Sequence, residues 1–429
     1  MLNIILAVDK NYGVGRNGKL PWYIKEELEI FKQKTHDSIV IVGRKTLEKL
    51  PLLENRTIFC ITKSVSVLSK NTVVTVFSSI EDAINTALKL EKKIFIIGGN
   101  EIYNYCFRNY KEKLYVHVSC IDDIYDCDTY FNENNLNSFY VITKTHFENF
   151  SHYEMKYCKY GEQQYLDLLS DILKNGEKRL TRNGETISDF CKHLKFDLRE
   201  GFPLLTTKKM FLKGIIEELL FFIRGDTNSK ILEEKGINIW KGNTNRSFLD
   251  LNGFENRADG EMGPMYGYQW RYFGMKYEEN KKLEKTEDFN ILDIFFGGDI
   301  KNKYKGLDQL KNVINEIKTN PASRRILLTS YNPLQAEEGV LYPCHSIILQ
   351  FYVYDNCYLD IFCYNRSNDN FHGTPFNIAS TSLLLMIIAQ IVKLTPRFVN
   401  ISQGDSHIYA GHIDCVKEQI KRVPYIFPS

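Results

Sequence analysis

Short apolar runs alternate with polar, helix-spaced stretches through the first third of the chain. Asn3–Val8, Ser38–Val42, Thr57–Ile61, Thr72–Val76, Lys93–Ile97, Lys113–Val118 and Ser151–Cys158 read as strands, rich in branched and aromatic side chains. Strands alternating with helices predict an α/β domain on a mostly parallel central sheet over residues 1–160. The pattern changes at Tyr160-Gly161. Leu166, Leu169, Ile172 and Leu173 then recur at helical spacing and Asn175-Gly176 supplies a stop, so a second domain, 161–429, opens on a helix at about Glu162.

No Pro- or Ser-rich linker, repeat or low-complexity segment separates the two, which predicts domains joined with almost no tether. The run from Lys276 to Lys305 alternates Lys and Glu around a short apolar patch and reads as a surface insertion. Met1–Val8 is apolar but lacks a basic leader and meets Asp9-Lys10, so it reads as a strand and not a signal peptide. Leu383–Val392 is about half of the ~20 apolar residues a bilayer requires and reads as a buried core helix. No membrane association is expected.

Composition sharpens this picture in two respects. Hydrophobic residues make up 43% of the 429 positions and charged residues 25%, a profile able to bury large cores. The formal charge is only +2, so no global field favours nucleic acid, and any anion must be held locally. The ten cysteines form no CxxC pair and no metal-ligand spacing, which argues against a disulfide framework or a metal and for a reducing, cytoplasmic compartment.

Two strand-to-helix turns carry glycine where backbone amides could approach a phosphate: Gly43-Arg44-Lys45-Thr46 and Gly98-Gly99-Asn100-Glu101. Glycine there also serves plain turn geometry; two on one sheet point to a dinucleotide. Thr62-Lys63, ending another strand, offers a hydroxyl and a cation for a 2′-phosphate, or is simply a polar strand end. Trp22, Glu27 and Phe31 would set a carboxylate beside an aromatic wall, suited to a protonatable pterin ring.

With Gly13-Val14-Gly15-Arg16-Asn17-Gly18-Lys19-Leu20-Pro21-Trp22, Val42-Gly43-Arg44-Lys45-Thr46, Ile97-Gly98-Gly99 and Asp128-Thr129-Tyr130-Phe131 in order, the first ~158 residues resemble dihydrofolate reductase. The resemblance implies Glu27 as the pterin-binding acid and Arg56 as partner of the substrate's glutamyl carboxylate. It places Trp22, Phe31 and Leu50 around folate. NADPH would be held by Ala7, Gly15, Gly43, Arg44, Lys45, Thr46, Thr62, Lys63, Gly98, Gly99, Asn100, Glu101 and Ile102. His117 is expected where the family supports the acid with a threonine.

In the second domain Leu341-Tyr342-Pro343-Cys344-His345 follows Pro321-Ala322-Ser323-Arg324-Arg325. A cysteine beside a histidine is commonly packing, and adjacency in a strand would point the two to opposite faces. Arg182, Arg324, Arg325 and Arg366 change the balance, because arginines lower a thiol's pKa and clamp phosphate.

Arg366-Ser367-Asn368-Asp369, Gly373-Thr374-Pro375-Phe376-Asn377 and Gly404-Asp405-Ser406-His407-Ile408-Tyr409 then make residues 162–429 resemble thymidylate synthase, which implies an α+β domain and an obligate homodimer. By that resemblance Cys344 attacks dUMP and Glu218 and Tyr266 manage protons. Asn377 reads the uracil, His407 and Tyr409 reach the ribose, Trp240 and Asp369 meet folate, and Asp369 also lines the nucleotide site. Arg182, Arg366 and Ser367 hold the phosphate, and Arg324 and Arg325 reach across from the other subunit. Methylenetetrahydrofolate is the expected co-substrate.

Three departures from the family stand out. Asn365 replaces a usual glutamine, Glu185 puts an acid near the phosphate loop, and the sequence stops at Ser429 where the family continues into a closing flap. The alternative is an active reductase on an inactive synthase-like dimerisation scaffold.

Overall fold

The computed structural model describes residues 1–63, 74–277 and 306–428. It divides the chain into two compact units, Met1–Lys159 with Val423–Ile426, and Tyr160–Arg422 with Phe427–Ser429. From residue 278 onward the insertion expected at Lys276–Lys305 lies outside the described residues, as does the start of the strand expected at Thr72–Val76.

The first unit is built on eight strands in the order Val74–Phe77, Thr57–Ile61, Ile39–Gly43, Ile94–Ile96, Leu2–Val8, Leu114–Ile121, Phe150–Tyr157 and Phe139–His146. The first six are mutually parallel and the last two join antiparallel. Parallel strands covered on both faces need apolar side chains on both, and Ile39, Val40, Ile41 and Val42 are all fully buried. Helices Lys25–Thr35, Ile80–Ala87 and Asn100–Asn109 connect them, the second capped by the Ser79 hydroxyl, which accepts from the Asp82 N–H at 3.0 Å. The apolar pattern does not predict Phe139–His146, whose second half, Thr143 to His146, is exposed and polar and carries no apolar alternation.

The second unit holds a six-stranded sheet in the order Glu177–Thr181, Gly184–Asp197, Thr395–Tyr409, Tyr358–Asp369, Ile348–Tyr354 and Leu327–Thr329. Only the central pair, Tyr358–Asp369 with Thr395–Tyr409, is parallel. A parallel pair needs a crossover, and the helix Gly373–Val392 supplies it. This helix starts ten residues before the expected Leu383, because its first half is polar enough to hide from hydropathy. Its 20 residues, of mean hydropathy 1.7 over the most apolar window, are long and apolar enough to cross a membrane. Half of that window is buried inside the unit, where Ile378, Leu384, Leu385 and Ile388 join the core. The opening helix runs Gln163–Asn175 and ends at Gly176.

Candidate active sites

In the first unit the two glycine turns meet. The Gly43 N–H donates to the Gly98 carbonyl at 2.8 Å. A Cβ on Gly99 would stand 3.1 Å from the Thr46 hydroxyl, one on Gly43 would stand 3.3 Å from Ile102, and Gly98 has φ +112°, which side chains rarely adopt. The turns therefore form a cradle that a Cβ would fill, opening on the N-terminus of Asn100–Asn109, and its donor set fits a pyrophosphate. Asn100 is pinned to the Tyr130 carbonyl at 2.8 Å. Arg44 pairs with Glu48 at 2.6 Å, Lys45, Lys63 and Glu101 are exposed, and Thr62 is half-buried.

Glu27 is buried on the Lys25–Thr35 helix, and burial pushes its carboxyl up to about 7 against the opposing effect of a hydrogen bond with Ser119. This corrects the expectation for His117. His117 and Ser119 lie on one face of their strand, but register sets Ser119 beside Ala7 and His117 beside Ile5, so Ser119 supplies the hydroxyl that meets the acid. Ser119 also lies 3.1 Å from His152 Nδ1.

Trp22 packs with Ala7, Ile121 and Phe150 and sits 5.3 Å from the Tyr125 ring, while Phe31 and Leu50 pack against Ile5 and Val40. The Arg56 guanidinium donates to the Lys32 carbonyl at 2.8 Å and the Glu54 carbonyl at 2.6 Å, tying itself to the end of the helix. Two residues escaped the motif reading. The Asp9 carboxylate accepts from the Asn11, Gly13 and Tyr125 N–H groups and so fixes the loop through Gly15. Tyr103, donating to the Ile5 carbonyl at 2.8 Å, packs under Gly98.

In the second unit Cys344 lies in the loop before Ile348–Tyr354, not in a strand as expected, so no alternation governs His345. The Tyr266 hydroxyl accepts from the Cys344 N–H at 3.1 Å and stands 3.4 Å from its sulfur. Burial and the neighbouring thiol hold the Tyr266 phenol well above its usual range. Its backbone has φ 41°, sparse for a non-glycine residue, and the ring is stacked between Phe222 at 5.0 Å and His345 at 4.5 Å. Burial drives His345 down to about 4, so the ring is neutral.

Glu218 is buried with its carboxyl raised to about 7 by burial, moderated by the Trp240 Nε1–H, which donates to it at 2.8 Å. Trp240 thus holds this acid in place. Arg366 Nε donates to the Pro343 carbonyl and the Ser367 N–H to the Cys344 carbonyl, both at 3.2 Å, drawing these two residues to the thiol loop.

The parallel register sets Ser367 beside Asp405 and Asp369 beside His407, whose Nδ1 lies 2.6 Å from the Asp405 carboxylate. Asp369 accepts from the Phe371 and His372 N–H groups, Asn377 is half-buried in the first turn of the long helix, and Tyr409 meets His407 edge-on at 5.1 Å. Asn365, fully buried, accepts from the Ser346 N–H at 2.8 Å while its Nδ2 has no partner. The structure leaves Arg182 exposed on a hairpin turn, Glu185 exposed beside it, and Arg324 and Arg325 exposed before Leu327–Thr329.

A buried acid beside a dinucleotide cradle defines one oxidoreductase-like site, and a thiol ringed by tyrosine, arginine and a buried acid defines a transferase-like one. The comparisons with known proteins agree. The dihydrofolate reductase family matches residues 1–162 and the thymidylate synthase family residues 163–429. A bifunctional dihydrofolate reductase-thymidylate synthase of Paramecium tetraurelia is 38% identical over 99% of this chain and 91% of its own length. Those of Zea mays and Leishmania major are 35% and 32% identical, over 99% and 100% of this chain and 89% and 88% of theirs. The chain belongs to the bifunctional dihydrofolate reductase-thymidylate synthase family, and carries both enzyme domains.

Proposed function

We propose that residues 161–429 convert dUMP to dTMP with methylenetetrahydrofolate, and that residues 1–160 reduce the resulting dihydrofolate with NADPH. Contact of the Tyr266 hydroxyl with both the sulfur and the N–H of Cys344 carries this reading, because it presents a nucleophile with a proton-handling group at its side. The thiolate attacks C6 of the pyrimidine, C5 becomes nucleophilic towards the methylene carbon, and Tyr266 then helps take the C5 proton. Glu218, able to hold or release a proton near neutrality, organises proton movement. Arg366 and Ser367 bind the phosphate, Asn377 the uracil, His407 and Tyr409 the ribose, and Asp369 the folate.

In the reductase domain NADPH supplies the hydride. Gly43, Thr46, Gly98 and Gly99 hold its phosphates, Glu27 binds the pterin and holds the proton for it, and Trp22, Phe31 and Leu50 exclude water. The chain acts as a homodimer through the outer face of the six-stranded sheet. Leu327, Ile348, Tyr352 and Tyr354 are 44%, 38%, 62% and 48% exposed there, which supports a partner on that face, and Arg324 and Arg325 beside them would reach its phosphate site. Ten free thiols support a reducing, cytoplasmic setting.

The test is incubation with 5-fluoro-dUMP and methylenetetrahydrofolate followed by denaturing mass spectrometry. A covalent adduct on Cys344 is expected; NADPH-dependent dihydrofolate reduction without any adduct would return the synthase half to a scaffold.

A further inference from the structure

We propose that His117, His152 and Glu154 form a binding site for a divalent transition-metal ion of the zinc type inside the reductase unit, joined to Glu27 only through the Ser119 hydroxyl. One ligand atom from each of the three lies within 4.8 Å of the others. The sequence spacing hides the set, because sheet register assembles it: Glu154 pairs with His117 and His152 with Ser119 across antiparallel strands.

The two imidazoles are each only 5% exposed, and His117 Nδ1 and His152 Nε2 are buried with no hydrogen-bond partner. Buried polar atoms are ordinarily paired, so two left unpaired side by side point to a ligand. His117 Nδ1 stands 3.9 Å from a Glu154 oxygen, beyond hydrogen-bond reach. A cation between them would draw both inward to the ~2.0–2.2 Å that zinc sets for nitrogen and carboxylate ligands.

Outer contacts are in place as well. Ser119 lies 3.1 Å from His152 Nδ1, and an Nδ1–H donating to that hydroxyl would leave the Nε2 lone pair free for a metal. The Tyr115 hydroxyl donates to Glu154 at 2.7 Å and steadies the carboxylate. A cavity of about 930 Å³ lined by Phe95, Tyr115, His117, His152 and Glu154 adjoins the cluster, with space for water as a fourth ligand, the composition of an open His₂Glu site. The competitor is Lys34, whose ammonium already pairs with Glu154. A bound metal must displace it.

Titrating the full chain with Co²⁺ tests the site by absorption, without reference to turnover. One equivalent should give d–d bands free of thiolate-to-metal charge transfer, which separates this site from the ten cysteines, and Zn²⁺ should abolish them. His117→Ala and His152→Ala should each weaken binding by about 100-fold with unchanged far-UV circular dichroism. Lys34→Met should tighten it by about tenfold, a gain that misfolding cannot imitate. The proposal is overturned by a wild-type chain with no saturable band, by a band that survives both histidine substitutions, or by Lys34→Met leaving affinity unchanged or weaker.

Discussion

The Tyr266 hydroxyl touches Cys344 twice, accepting its backbone N–H at 3.1 Å and facing its sulfur at 3.4 Å. One phenol therefore fixes the loop that carries Cys344 and, in the proposed mechanism, stands where a proton must move. Tyr266→Phe removes both contacts while keeping the ring stacked on Phe222 and His345. Synthase kcat should fall by roughly 10²-fold or more, with a smaller change in KM for dUMP, in steady-state kinetics. Reductase turnover of the same variant should be unchanged.

Trp240→Phe removes the indole N–H from Glu218. That hydrogen bond lowers the acid's pKa against the burial that raises it to about 7, so its loss moves the pKa upward. The pH–rate profile of the synthase should shift to higher pH on the limb that reports this acid. A profile identical to wild type would detach Glu218 from the rate.

Glu27 couples reductase chemistry to stability. Its carboxyl titrates at about 7 in the fold against 4.5 unperturbed. Between those values the folded chain keeps a proton that the unfolded chain has lost, so the stability it confers is full below about pH 4.5 and drains away as pH rises to about 7. At ~1.4 kcal/mol for each pH unit, Glu27→Gln should gain about 3 kcal/mol relative to wild type between pH 4 and pH 8 in denaturant melts of the reductase unit. The same substitution should depress dihydrofolate reduction, and wild-type reduction should slow as pH passes 7.

The cradle is tested by Gly99→Ala. Its Cβ would sit 3.1 Å from the Thr46 hydroxyl, so the two turns must part slightly or the cofactor phosphate must shift. KM for NADPH should rise by about tenfold while adduct formation on Cys344 is untouched.

Much of this was legible in the chain because the chemistry sits at element ends. The glycine turns follow apolar runs, and Arg366-Ser367 and His407-Tyr409 are contiguous in sequence. What stayed hidden depends on register. Residues 115, 117 and 119 share a face of one strand, and nothing in a single sequence says that Ala7, beside Ser119, marks the level of Glu27. The same pairing ambiguity concealed the meeting of His117 with His152 and Glu154. Cys344 was misplaced into a strand because an apolar run, Ile347 to Phe351, begins just after it. The long helix was read at half its length because Thr374, Asn377 and Ser380 to Ser382 interrupt its hydropathy.

The two sheets also differ in when a ribosome could let them close. All eight strands of the first lie before residue 158, whereas Gly184–Asp197 in the second pairs with Thr395–Tyr409, His193 meeting Ser402 across 209 positions. At ~5–20 residues per second, that strand waits roughly ten to forty seconds for its central neighbour, although Glu177–Thr181 already flanks its first residues. The reductase sheet can be folded before the synthase sheet has its central strands, which leaves Gly184–Asp197 in the nascent chain with only the short Glu177–Thr181 strand beside it for that interval.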